Sequence, residues 1–69
     1  MDEKEFTEKI EYIVAKLKEK GYSPYEQLAG YVELNNPEYI TRHGNARVKI
    51  KELDIEDIRV YLNQSGIEV

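Results

Sequence analysis

The chain has 69 residues, a formal net charge of −4 and no cysteine. A chain of this length builds one small domain, residues 1–69, which buries only about 60% of the surface that the unfolded chain exposes. With no cysteine and with His43 as its one histidine, it has no residues for a disulfide framework or a Cys/His zinc site. We therefore expect no metal or cofactor, and we expect self-association to add stability.

The sequence also limits location and activity. Acidic residues surround Phe6, the first apolar residue after Met1, and no apolar stretch approaches the roughly 18 residues of a membrane span. No nucleophile and base form an evident catalytic pair, and a small domain has little room for a substrate pocket. These observations predict a soluble, cytoplasmic protein with a binding or regulatory role and no enzymatic activity.

A first amphipathic helix is predicted over residues 2–20. Apolar residues at positions 6, 10, 13, 14 and 17 form one helical stripe, and acidic residues crowd the first turns. Lysines occupy the last turns, and Gly21 stands where a left-handed residue ends a helix. Both ends of this helix are therefore indicated by the sequence.

A second helix is predicted from Pro24 to about residue 34. Ser23 is placed to cap it and Glu26 to complete a capping box, and Asn-Asn-Pro at residues 35–37 interrupts it. Gly30 lies within this helix and costs about 1 kcal/mol relative to alanine. We therefore expect another element, by its backbone, to approach closely at Gly30.

The segment from residue 36 to residue 53 is less regular. Asn36 and Pro37 predict one short turn over residues 37–40, followed by a loop over residues 41–44 and a cap at Asn45. Residues 46–53 fit a helix, although residues 48–51 also alternate as a strand would. Helix is favoured, because an isolated strand would lack a partner.

A last helix is predicted after Asp54, which has the character of an N-cap with acidic residues following it. Apolar residues at positions 55, 58, 61 and 62 share one face, and Gly66 follows as a stop. The predicted fold is a small all-α bundle of about five helices, two of them very short, for which self-association is expected.

A basic middle separates two acidic ends. Residues 39–53 carry Arg42, Arg47, Lys49 and Lys51 against Glu52, whereas the flanking segments carry net charges of −4 and −3. Arginine suits bidentate capture of carboxylates or phosphates, so Arg42 and Arg47, with Tyr39 and His43 beside them, are the candidate partner-binding residues. The alternative for each arginine is a structural one, in which it bonds helix-end carbonyls and holds the loop.

Six tyrosines against one phenylalanine and no tryptophan is a skewed aromatic content. Tyrosine suits surfaces that are partly apolar and partly wet, so it serves both the rim of a small core and a subunit interface. The middle of the chain is therefore predicted to supply either a dimer interface or core packing, through Tyr22, Tyr25, Tyr31, Leu28 and Gly30.

Nucleic acid is the competing partner. The chain is small and helical with basic residues over positions 42–51, and two helices with a glycine near the turn resemble a helix-turn-helix. The isoelectric point near 4.9 and the acidic terminal segments weigh against a phosphate-binding face. Nucleic-acid binding is kept as the alternative function.

Several consecutive blocks of the chain resemble one known family. The blocks are EKGYSP at residues 19–24, QLAGYV at 27–32, NPEYITRH at 36–43 and NAR at 45–47, and the chain ends in GIEV. Their order and spacing closely resemble the IreB (ReoM) family of small bacterial regulatory phosphoproteins. The match is strong over residues 19–47 and looser in the flanking helices.

The resemblance implies an all-helical homodimer without enzymatic activity. It implies a target of a PASTA-type Ser/Thr kinase in Gram-positive bacteria that adjusts peptidoglycan precursor synthesis, in some members through Clp-protease turnover of the UDP-GlcNAc enolpyruvyl transferase. The functional arginines of the family would correspond to Arg42 and Arg47.

Two departures from the family are visible. Family members carry the phosphorylated threonines in a tail before the first helix, whereas this chain begins almost directly with that helix, so we expect a divergent member that lacks the tail. Thr7 is the nearest threonine and therefore the candidate for phosphorylation. Thr41 stands where the family has proline, which predicts a less rigid loop before Arg42.

Overall fold

Four α-helices and two 3-10 turns form the protein in a computed structural model that describes residues 2–69. Their bounds in chain order are α1 Glu3–Glu19, α2 Pro24–Leu34, a first turn Pro37–Tyr39, a second turn His43–Asn45, α3 Ala46–Ile50 and α4 Ile55–Gln64. Residues 2–69 contain no strand, so the all-α prediction is confirmed.

Helix α1 begins and ends within one residue of its predicted bounds, and Asp2, which was predicted inside the helix, is its N-cap. The Asp2 carboxylate accepts a hydrogen bond from the Glu5 amide at 2.9 Å. At the other end, Gly21 adopts a φ of +81°, and the Tyr22 amide donates to the Leu17 carbonyl at 3.0 Å. This arrangement is a Schellman motif, which satisfies carbonyls that the helix itself leaves free.

Helix α2 has the predicted bounds, but its predicted capping box is wrong. The Ser23 side chain makes no capping hydrogen bond, and no side-chain bond joins Glu26 to the residue 23 amide. Pro24 is buried at the first helical position, where its fixed φ and missing N–H suit a helix start without help from Ser23. Asn35 ends the helix in the left-handed conformation, with a φ of +51°.

The helical residues between α2 and α4 are divided differently from the prediction. Asn36 caps the first turn as predicted, since its side chain accepts from the Glu38 amide at 3.0 Å. The predicted loop over residues 41–44 is in part a second turn, His43–Asn45. Asn45 does not cap α3 with its side chain, because it lies inside this turn with a left-handed φ of +60°. Helix is confirmed over strand for α3, which ends at Ile50 rather than at residue 53.

Helix α4 is capped by Asp54, whose carboxylate accepts from the Glu56 amide at 2.8 Å. Gly66 follows the helix with a φ of +90°, and the Ile67 amide donates to the Leu62 carbonyl at 2.9 Å. The predicted start and stop of this helix are therefore both confirmed.

The core lies where α1 packs against α2 and α3 and where α2 packs against α4. Fully burying one aliphatic side chain of this kind contributes about 1.5–3 kcal/mol. The packing of α3 against α1 also brings the segment before α3 onto the surface of α1. The buried core residues are Ile10, Ile13, Val14, Leu17, Leu28, Tyr31, Val32, Ile40, Ala46, Ile50, Leu53, Ile58 and Leu62.

Candidate functional site

Residues 36–47, which we name the arginine loop, form the candidate site. Ile40 anchors the loop, because its side chain is fully buried in the core. Its amide donates to the Pro37 carbonyl at 3.0 Å and closes the first turn. Tyr39 and Arg42 lie on either side of this anchor and are both exposed.

Arg47 holds the arginine loop in place. Its Nε donates to the Ile40 carbonyl at 2.9 Å, and one terminal nitrogen donates to the Glu38 carbonyl at 3.4 Å. The side chain is half-buried. For Arg47, the structure therefore displays the structural alternative, in which an arginine bonds carbonyls at the end of a short helical turn.

Arg42 differs from Arg47 in every one of these respects. It is exposed, and within residues 2–69 its guanidinium makes no hydrogen bond and no ion pair. A guanidinium carries five N–H donors in a planar fork that fits a carboxylate or a phosphate. The guanidinium of Arg42 therefore has donors that a binding partner could use.

The ring of Tyr39 packs against α2 at Gly30. A Cβ atom built on Gly30 would lie 2.7 Å from Cδ1 of the Tyr39 ring, which is closer than two carbon atoms can approach. The expectation of close packing at Gly30 is confirmed, but a side chain rather than a second backbone makes the approach. Gly30 thus gives the Tyr39 ring its place on the surface, where it stays 42% exposed.

These groups border one open depression of about 450 Å³, which we name the arginine pocket. Three of the predicted binding residues, Tyr39, Arg42 and Arg47, line this pocket. Tyr22, which was predicted for an interface or the core, lines it as well. Gln27, Glu38 and Thr41 complete it and were not predicted. Glu38 and Thr41 belong to the loop itself, and the docking of the loop on α2 adds Gln27. The lining residues are Tyr22, Gln27, Glu38, Tyr39, Thr41, Arg42 and Arg47.

His43 is not part of the arginine pocket, although the sequence grouped it with the arginines. Its Nε2 lies 2.9 Å from Oε1 of Glu19 on α1. The hydrogen bond with His43, and second the one with Lys16, hold the pKa of the Glu19 carboxyl below its ordinary value. His43 therefore links the arginine loop to α1 rather than facing the pocket.

The comparison with known families agrees with this arrangement of elements. Residues 1–65 match the family described as IreB regulatory phosphoprotein. The chain belongs to the IreB family. The match covers all four helices and the complete arginine loop, so the whole candidate site lies within the region that defines the family.

The residues predicted for a dimer interface or the core divide between two environments. Leu28 and Tyr31 are buried within the single chain, at 0% and 5% exposure, and burial raises the pKa of the Tyr31 hydroxyl. Tyr25 is half-buried, with its ring centroid 6.4 Å from that of Tyr61. Burial, together with a hydrogen bond to Tyr25, raises the pKa of Tyr61 to about 12. Tyr22 is exposed and borders the arginine pocket.

Thr7, the candidate for phosphorylation, does not border the arginine pocket. It is exposed on the first turns of α1, and its hydroxyl donates to the Glu3 carbonyl at 2.9 Å. It borders a second groove, of about 290 Å³, between α1 and α4. The groove residues are Asp2, Glu3, Phe6, Thr7, Asp57, Val60, Tyr61 and Gln64.

Two further properties concern residues 2–69 as a set. They contain no group of three or more His, Asp or Glu side chains arranged to hold a metal ion. None of their helices combines the length and the apolar character that crossing a membrane requires.

Proposed function

We propose that this IreB-family chain is a non-enzymatic regulator that binds a protein partner through the arginine pocket. The observation that carries the proposal is Arg42, an exposed arginine without a bonding partner among residues 2–69, at the edge of an open pocket with two exposed tyrosines. The family's description as a regulatory phosphoprotein supports a role in protein interactions.

The pocket suits an acidic segment of a partner protein. Arg42 offers a planar fork for a carboxylate, and the rings of Tyr22 and Tyr39 offer apolar faces with hydroxyl groups at their tips. Arg47 adds positive charge at the same place while its own bonds keep the loop fixed. An acidic side chain next to an apolar or aromatic one would use all of these groups.

The family supplies the proposed partners. We propose that the pocket binds a component of the Clp-protease system or the UDP-GlcNAc enolpyruvyl transferase, and so adjusts peptidoglycan precursor synthesis in the cytoplasm. In this proposal the protein acts as a homodimer downstream of a PASTA-type Ser/Thr kinase. His43 contributes by holding the loop, and Tyr39 and Arg42 make the contacts.

Affinity capture from a Gram-positive lysate tests the proposal. Wild type, Arg42→Ala and the control Lys4→Ala serve as baits, since Lys4→Ala also removes one positive charge from an exposed residue. We expect wild type and the control to retain a Clp component or the transferase, and Arg42→Ala to lose it. Capture of the same proteins by all three baits would contradict the proposal.

Duplex DNA is the competing ligand in a parallel assay. Lys49 and Lys51 are the residues on which the nucleic-acid alternative depends, and phosphate binding would weaken steeply with added salt. The Nζ atom of Lys49 lies 5.0 Å from the ring centroid of Tyr12, so one of these two cations already makes a cation–π contact within the protein. Salt-dependent DNA binding that Lys49→Ala and Lys51→Ala abolish would replace the adaptor proposal.

Thr7 is the proposed position of phosphorylation. A phosphate adds a charge of about −1.5 to −2, and here it would lie in a groove that Asp2, Glu3 and Asp57 also border. Repulsion would then loosen the packing between α1 and α4. Incubation with a PASTA-type kinase followed by mass spectrometry tests this step, and an unmodified chain would remove the switch from the proposal.

A further inference from the structure

Three side chains of α1 contact the arginine loop without bordering the arginine pocket. They are Tyr12, Lys16 and Glu19, which we name the α1 brace. We propose that the α1 brace positions Arg42 for partner binding by fixing the second turn, His43–Asn45. This inference rests on the proposed function, since it concerns how the same pocket is presented to its partner.

The first contact of the brace is with Gly44. The Tyr12 hydroxyl donates to the Gly44 carbonyl at 2.9 Å, a bond between residues 32 positions apart in the chain. The aliphatic chain of Lys16 packs against the same residue, because a Cβ on Gly44 would lie 2.6 Å from Cδ of Lys16. Gly44 has a φ of +59°, so both its conformation and its contact with Lys16 favour glycine.

The second contact is with His43. One oxygen of the Glu19 carboxylate lies 2.9 Å from Nε2 of His43, and the other lies 3.1 Å from Nζ of Lys16. Each end of this carboxylate is therefore occupied, one by the turn and one by the neighbouring side chain of α1. Lys16 in turn belongs to both contacts, through its aliphatic chain and through its ammonium group.

The helix itself makes the brace rigid. Positions 12, 16 and 19 follow the i, i+4, i+7 spacing that places side chains along one face of an α-helix. On another face of α1, Ile13 and Leu17 are fully buried and fix the helix on the core. The ammonium groups of Lys16 and Lys49 lie 5.2 and 5.0 Å from the Tyr12 ring centroid, and both favour the observed position of the ring.

Arg42 is connected directly to the braced turn. It immediately precedes His43, and its carbonyl accepts a hydrogen bond from the Asn45 amide at 3.1 Å. The direction in which Arg42 leaves the loop is therefore set by the turn that the brace holds. A loop that is ordered before binding loses less conformational freedom when the partner binds, and this preserves affinity.

Hydrogen exchange of the full chain tests the proposal without any partner. The double variant Tyr12→Phe/Glu19→Gln removes the hydroxyl bond and the carboxylate charge while keeping the side-chain sizes. Glu8→Gln is the matched control, because Glu8 is exposed on the same helix and makes no hydrogen bond or ion pair within the described residues. The reporters are the amides of Asn45 and Ala46, which donate within the turn.

We expect the double variant to exchange these two amides about tenfold faster than wild type, while the Leu17 amide in α1 and the Glu8→Gln control keep wild-type rates. Unchanged rates at Asn45 and Ala46 would overturn the proposal. Equal acceleration at Leu17 would also overturn it, because the three residues would then stabilise the whole fold rather than the turn.

The second experiment measures affinity for the partner whose capture depends on Arg42. We expect about tenfold weaker binding by the double variant and unchanged binding by Glu8→Gln. Unchanged binding by the double variant, in a preparation where its turn amides exchange faster, would overturn the positioning role. If Arg42→Ala itself fails to weaken any binding, the proposed function fails, and the exchange result alone still decides whether the brace holds the turn.

Discussion

The helical core and the arginine loop are held by different forces. In the core, α1, α2 and α4 bury aliphatic side chains such as Ile13, Leu28 and Ile58 completely. The arginine loop buries only Ile40 and Ala46 and otherwise relies on directed polar contacts, from Arg47 to loop carbonyls and from α1 to the second turn.

This difference separates stability from function. Apolar burial is spread over many side chains and resists local change, whereas a few hydrogen bonds fix a short segment in one conformation. The loop can therefore present an arginine and a tyrosine to solvent without weakening the core beneath it. Substitutions in the two regions should consequently differ in size and in what they affect.

The largest effect is expected where the loop meets the core. Ile40→Ala removes a fully buried side chain, and we expect the free energy of unfolding to fall by about 2–5 kcal/mol. Urea denaturation followed by circular dichroism measures it, with Val48→Ala, at a residue 59% exposed, as the control. A loss below about 1 kcal/mol would show that the loop is not anchored by Ile40.

Arg47→Ala should have an intermediate effect. The sequence grouped Arg47 with Arg42 as a candidate partner-binding residue, but Arg47 is half-buried and donates to two loop carbonyls. We expect a loss of about 1–2 kcal/mol, since the Ile40 carbonyl loses its charged donor. The same denaturation assay measures this loss. A stability equal to that of wild type would show that Arg47 does not stabilise the loop.

Gly30→Ala should change the site more than the fold. Alanine improves helix propensity by up to about 1 kcal/mol, but its Cβ displaces the Tyr39 ring, which is exposed enough to move. We expect a net stability change within about 1 kcal/mol together with altered NMR chemical shifts of Tyr39 and weaker partner binding. An unmoved Tyr39 ring would mean that α2 shifts instead.

The smallest expected effect is on the loss of folding stability at low pH. Hydrogen bonding and charge attraction from Lys9 hold the pKa of Glu52 below its ordinary value, as His43 and Lys16 do for Glu19. The unfolded chain therefore binds protons more readily at these two carboxylates. Their contribution to the free energy of unfolding is present above the ordinary carboxyl pKa, and it is lost as the pH falls through the lower pKa of the folded state. Glu52→Gln should lose less stability than wild type between about pH 5 and pH 3. Glu33→Gln, which removes one carboxylate from an exposed residue, is the control variant.

Local sequence signals predicted most of the helix ends. The caps at Asn36 and Asp54 and the stops at Gly21 and Gly66 depend on residues close in sequence, and each was predicted at its observed place. Asp2 caps α1, although it was predicted as a residue of the helix itself. The caps predicted at Ser23 and Asn45 were wrong. Pro24 begins α2 without a side-chain cap, and Asn45 occupies a left-handed position in the second turn.

The site was predictable only in part. Arginine and tyrosine in one basic stretch indicated Tyr39, Arg42 and Arg47, which the structure places in one pocket. The different roles of the two arginines depend on which carbonyls the folded loop brings near Arg47. The contribution of Tyr12 and Glu19 depends on contacts across 32 and 24 positions of the chain, which no local pattern encodes.

The most direct test of the central claim measures stability and binding for Arg42→Ala together. The account predicts a free energy of unfolding within about 0.5 kcal/mol of wild type, with partner affinity at least about tenfold weaker. Wild-type affinity in the folded variant would contradict the claim that Arg42 binds the partner. A loss of several kcal/mol of stability would contradict it as well, because Arg42 would then be a structural residue like Arg47.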